Sequence, residues 1–104
     1  MRVPPQTKRL DYKGVNAAAL PHLVSLCRAW LPEGVIRGHE YLALNPTRND
    51  RHIGSFAINL RTGRWADFAT NDQGGDVISY LAYLEGVSQS DACRQIARQL
   101  GLNQ

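Results

Sequence analysis

Between Ala17 and Leu31 the apolar residues Leu20, Leu23, Leu26, Cys27, Trp30 and Leu31 recur at three- and four-residue steps, the period that gathers side chains on one face of a helix. The spacing predicts an amphipathic helix capped by Asn16 and ended by Pro32 and Gly34. Pro21 is comfortable only in a first helical turn, so the regular part is expected from nearer Leu20. The period then falls to two. Glu40–Asn45 is rich in aromatic and aliphatic residues, and in Ser55–Leu60 the side chains of Phe56, Ile58 and Leu60 alternate with Ser55, Ala57 and Asn59. Both read as strands. Gly63 supplies positive φ for a short hairpin loop, which turns the chain back into a third strand over Arg64–Phe68. Asn45–Gly54, with its proline, asparagines, aspartate and glycine, reads as the loop between the first two strands.

The segment from Thr70 to Asp76 is turn-rich, and Asp76 is placed to cap a helix over Val77–Glu85 that Gly86 closes. Ser88 with Asp91 three residues on predicts the start of a last helix, with Ala92, Cys93, Ile96, Ala97 and Leu100 on its buried face and Gly101 as its stop. Residues 1–15 hold two adjacent prolines, several cations and no apolar period, and read as an extended basic arm. The predicted order is an arm over 1–15 and a single domain over 16–104. That domain has an N-terminal helix, an antiparallel sheet of three or more strands and two C-terminal helices, an α+β arrangement.

Composition narrows the class. With 104 residues, 43% hydrophobic and 20% charged, the chain has the material for one core and no second domain. Cys27 and Cys93 sit among apolar neighbours at helical spacing and are expected to be buried free thiols, a disulfide between them being the alternative. No signal peptide is visible, which points to the cytoplasm, and no apolar run approaches the roughly 20 residues of a membrane span. The net charge of +3 is unevenly placed. Arg37, Arg48, Arg51, Arg61 and Arg64 face only Glu40 and Asp50 in the middle third, and Arg2, Lys8, Arg9 and Lys13 stand near the start. From Trp65 onward Arg94 and Arg98 are outnumbered by Asp67, Asp72, Asp76, Glu85 and Asp91. One basic face is the consequence.

Three segments carry a resemblance. Arg64-Trp65-Ala66-Asp67-Phe68, then Gly74-Gly75-Asp76-Val77-Ile78, then Tyr83-Leu84-Glu85-Gly86-Val87-Ser88 are similar in order and spacing to the second half of the zinc-ribbon domain of bacterial and phage DNA primases. Asn45-Pro46 and Ser55-Phe56 look like elements of its first half. The resemblance covers roughly His39 to Leu102 and implies a DNA-binding module that works beside a separate Toprim catalytic domain absent from these residues. At the family's four ligand positions this chain has Asn45, Arg48, Asp67 and Thr70. None is a thiolate or imidazole, and an arginine repels a cation, so no zinc and no other cofactor is expected. Asp67 is expected to pair with Arg48 in its place. His22, His39 and His52 have no ligand-like spacing and suggest no second metal site.

For nucleic acid the needed groups are cations for phosphates and flat rings for bases. The candidates are Arg48, Arg51, Arg61 and Arg64, with Tyr41 or Trp65 as the stacking platform, although large aromatics such as Trp65 and Phe56 also make small cores. Gly74-Gly75-Asp76 is read as a turn and cap, since an aspartate at the helix mouth opposes phosphate. No nucleophile and base pair by proximity and no phosphate-binding loop is present, so no enzyme is expected. The expectation is a module for single-stranded DNA serving a primase, helicase or other replication protein of a bacterial, phage or plasmid element. The alternative is a protein-interaction adaptor docking through Val77–Glu85 and Gln89–Leu100.

Overall fold

A computed structural model describes residues 11–102. Helix α1 runs over Tyr12–Ala19, a short 3-10 turn over Leu20–His22, and α2 over Leu23–Trp30. The expected single helix is therefore broken at Pro21. Proline has no N–H to give and its ring crowds the carbonyl one turn back, so the chain tightens for one turn before resuming. The start also differs from expectation. Asp11, not Asn16, caps α1, accepting the Gly14 N–H at 3.0 Å, so residues 12–15 are helical rather than part of an arm. Residues 1–10 of that arm, with Arg2, Lys8 and Arg9, lie outside the described residues. Asn16 caps a different helix: its Oδ1 accepts the Ile78 N–H at 3.0 Å, bonding α1 to a helix 62 residues away.

Five antiparallel strands follow in a simple meander, β1 (Val35–Arg37), β2 (Glu40–Ala43), β3 (Phe56–Asn59), β4 (Trp65–Asp67) and β5 (Asp72–Gly74). The three central strands are the predicted ones. The outer two have no counterpart in the sequence pattern, because each has three residues and is held by backbone pairing rather than by buried side chains. Short edges of this kind are how sheets avoid recruiting further strands. Gly38 (φ +59°) makes the tight turn from β1 to β2, Gly63 (φ +80°) the hairpin from β3 to β4, and Asn71 (φ +68°) the turn into β5. Asparagine is the residue besides glycine that tolerates this region best.

Helices α3 (Val77–Glu85) and α4 (Gln89–Gln99) complete the α+β fold. Asp76 and Ser79 form a reciprocal capping box at the start of α3, Gly86 ends it in the left-handed region, and Ser88 accepts the Asp91 N–H at the start of α4. Register decides which side of the sheet the helices cover. Tyr41 pairs with Ile58 and Ile58 with Trp65, while Ala43 pairs with Phe56. These five belong to one buried cluster with Leu23, Leu26, Ile78, Tyr80, Leu81 and Ile96 from the helices. Phe56 stacks on Tyr80 at 5.7 Å and Trp65 packs on Tyr83 at 4.6 Å with the rings tilted by 36°, ring contacts that add to simple area burial. Both cysteines are buried and free, and burial pushes the Cys27 thiol up to about 12 against a hydrogen bond from Tyr80 that lowers it. No helix among the described residues is long and apolar enough to cross a membrane.

Candidate nucleic-acid interface

The four positions read as lost ligands lie where two loops meet, the one between β2 and β3 and the one between β4 and β5. Asp67, fully buried, ends β4. Its carboxylate accepts Arg48 Nε at 2.9 Å on Oδ2 and Arg48 Nη2 at 3.3 Å on Oδ1. Asn45 Nδ2 donates to Oδ2 at 2.7 Å, and the Ala69 N–H donates to Oδ1 at 2.9 Å. Burial alone raises the pKa of this carboxyl, but the bonds from Arg48, Asn45, the Ala69 amide and Ser55 outweigh it and hold the group far below the usual carboxylate range. Arg48 is further engaged by Ser55 Oγ at 2.9 Å and Asp50 at 3.3 Å. Asn45 spends its second amide hydrogen on Tyr83 Oη at 2.8 Å, and its Oδ1 takes both the N–H and the hydroxyl of Thr47. Thr70 stands beside the cluster, its Oγ1 3.5 Å from the Asp67 carbonyl oxygen.

These residues do not fit a zinc ion. Both oxygens of the one anionic donor are committed, the neighbouring amide gives it hydrogens rather than lone pairs, and its other partner is a guanidinium, which carries positive charge itself. Among the described residues no three His, Cys, Asp or Glu side chains group to hold a metal. The pairing of Asp67 with Arg48 expected from the sequence is present and bidentate, through Nε and Nη2 of the guanidinium. It also sets Arg48 apart from the other candidate phosphate contacts, because its charge is already matched by Asp67 and Asp50.

Two other candidates are corrected. Tyr41 and Trp65 lie on the helix side of the sheet, at 1% and 6% exposure. The Tyr41 hydroxyl donates to the Leu31 carbonyl, and Trp65 Nε1 donates to Ser79 Oγ at 2.9 Å. Neither ring offers a face to a base. Gly74 lies so close under the Trp65 indole that an added Cβ would sit 2.4 Å from Nε1, so this glycine is needed for the ring to fit.

Among the described residues the helices pack on the side of Tyr41 and Trp65, and no helical residue joins the opposite side of the sheet in the core cluster. Alternation places Val35, Arg37, Glu40, Leu42, Ala57, Asn59, Ala66 and Gln73 there, and Leu42 and Ala57 stand outside the core cluster. A shallow recess of about 430 Å³ opens on this face, lined among others by Glu40, Ala57, Asn59, Arg64, Ala66 and Phe68. Phe68 is 75% exposed. Sequence reading missed it, although the signal was present: once Trp65 and Asp67 point inward, Arg64, Ala66 and Phe68 must point outward. Arg64 lines the recess and Arg61 lies in the adjacent hairpin turn, both exposed, whereas Arg51 is exposed in the loop beyond the other end of β3. The sheet thus brings Arg61 and Arg64 together and leaves Arg51 apart. Arg37 joins the first two through the register Arg37–Glu40–Asn59 and the 2.8 Å bond from the Asn59 N–H to the Arg64 carbonyl. None of Arg37, Arg51, Arg61 and Arg64 has a side-chain partner among the described residues.

No family model and no curated protein matches this chain.

Proposed function

We propose that this chain is a non-catalytic module that holds single-stranded nucleic acid, most naturally single-stranded DNA in a primase-type replication setting, on the face of its sheet opposite the helices. The observation that carries the reading is the recess lined by an exposed phenylalanine and an unpaired arginine, with Arg37 and Arg61 at the same end of the sheet. Single strands are held by neutralising phosphates and stacking bases, and both kinds of group are present there, the arginines without side-chain partners among the described residues. The primase zinc-ribbon resemblance supports the same reading, with the Asn45, Arg48 and Asp67 cluster tying together the loops that a metal would otherwise clip.

Fluorescence anisotropy with labelled single- and double-stranded oligonucleotides at several salt concentrations tests it. Single strands are expected to bind more tightly than duplex, with log affinity falling against log salt at a slope of about −2 to −3, as three or four neutralised phosphates require. Phe68→Ala weakens binding without changing that slope. No binding in dilute buffer would overturn the reading.

A second reading, the protein-interaction adaptor, is favoured by a different surface. The apolar faces of α3 and α4 are spent on the core, but an apolar hollow of about 220 Å³ lies between Trp30, Leu31, Pro32, Ala43, Leu44 and Pro46. A partner protein that co-purifies and is lost on Leu44→Glu would favour it.

A further inference from the structure

The recess has polar groups of a definite pattern at one end and an apolar middle. Ala57 and Ala66 are cross-strand partners that line the recess, Ala57 at 7% exposure and Ala66 partly buried, and their small side chains form its floor. One step along the strands, Glu40 and Asn59 are direct cross-strand partners on the same face, and both line the recess. The Asn59 amide has a fixed orientation. Its Oδ1 accepts the Arg61 N–H at 2.8 Å and the Thr62 N–H at 3.1 Å, so its Nδ2 is turned away from the hairpin and has no partner among the described residues. Glu40 is likewise unpaired, and its carboxylate accepts only. A fixed amide donor beside an open carboxylate is therefore what this end presents.

We infer that the recess is a guanine subsite, in which Glu40 accepts from the base's N1–H and exocyclic amine and Asn59 Nδ2 donates to its O6. The inference rests on the single-strand reading above and names the base that the same site prefers. Among the common bases guanine alone has two adjacent donors for a carboxylate followed by an acceptor for the amide, giving three bonds. Adenine and cytosine satisfy one oxygen of the carboxylate and the amide, and thymine offers one donor between its acceptors. Reading of Watson–Crick edges by side chains is available when bases are unstacked in a single strand. Arg37 and Arg64 flank the Glu40–Asn59 pair on either side, three strand spacings or roughly 14 Å apart. They supply phosphate partners on both sides of the base and offset the charge of Glu40.

Anisotropy titrations of an all-dT oligonucleotide against the same oligonucleotide with one central dG, dA or dC test the inference. The dG strand is expected to bind tighter by on the order of tenfold, in the range a bidentate base contact gives. Glu40→Gln and Asn59→Asp are both expected to bring that ratio close to one. Asn59→Asp keeps the oxygen that holds the hairpin and turns the donor into a charged acceptor; the added charge weakens all strands alike and cancels in the ratio, and thermal melting of each variant verifies that the fold is retained. Arg98→Ala on α4 leaves the ratio as in the parent. Equal affinity for all four strands, or a dG preference that survives both substitutions, overturns the guanine assignment while leaving single-strand binding standing. Competition by guanosine monophosphate separates the sources of the base: displacement of the dG strand only by excess nucleotide is the expected result. If no oligonucleotide binds but the mononucleotide does, the strand reading fails and guanine recognition remains. Absence of binding by either overturns both.

Discussion

At the scale of single residues, Asp67 is the position on which the two loops depend. Removing one member of a buried ion pair strands the other, at a cost of about 3–5 kcal/mol, whereas replacing both by apolar groups can be neutral. Asp67→Ala is therefore expected to cost about 3 kcal/mol in urea unfolding, the low end because Arg48 keeps 28% of its side chain exposed. The pair Arg48→Met with Asp67→Leu is expected to recover only part of that loss, because Asn45 Nδ2 and the Ala69 N–H still lose the oxygens to which they donate. The carboxyl also gives the protein a pH dependence of definite sign. Its folded pKa lies below the unfolded value, so its stabilisation is complete above about pH 5 and is lost as the pH falls below about 4, towards the folded value. Melting temperature measured from pH 7 to about pH 2.5 should fall at the acid end, and Asp67→Asn should flatten that fall. An unchanged acid limb in the variant would place the sensitivity elsewhere.

At the scale of elements, the helices show how much a local motif can specify and where it stops. Asp76 and Ser79 satisfy each other's backbone N–H groups within four residues, at 2.8 and 3.4 Å. Asp76→Ala is expected to cost about 1 kcal/mol of stability, read as a lower denaturation midpoint with unchanged m-value. That motif is legible in the sequence because cap and helix are adjacent in the chain. Asn16 has the chemistry of a cap as well, but its oxygen serves Ile78 across the domain rather than the helix beside it. Strands β1 and β5 are illegible for a related reason. Three-residue edges such as Val35–Arg37 and Asp72–Gly74 carry no alternation long enough to read, and they exist because a neighbouring strand offers its backbone.

Across the full domain the meander gives the sheet two unlike sides. One side buries the aromatic cluster under the helices, and the other carries the recess, Phe68, Arg37 and Arg64. Electrostatic attraction of a polyanion is governed by where charge sits more than by its sum, so the +3 of the chain understates this face. Arg61→Ala with Arg64→Ala should make the salt slope shallower by about 1 to 2, roughly one for each phosphate no longer neutralised. Arg94→Ala with Arg98→Ala on α4 should leave it unchanged. Equal effects of the two pairs would mean that no one face is used.

The α+β class, the three central strands, both C-terminal helices, the buried thiols and the pairing of Arg48 with Asp67 are all legible in the chain itself. Each follows from a short-range period, a cap or a complementary charge. Which side of the sheet a residue faces is a matter for the folded protein alone. That choice moved Tyr41 and Trp65 into the core, spent Arg48 on Asp67, and left Phe68, Glu40 and Asn59 open. Periodicity separates two faces of a strand but does not say which one the helices will cover. That is settled when the largest apolar surface is buried, and the binding candidates are the side chains left on the other face.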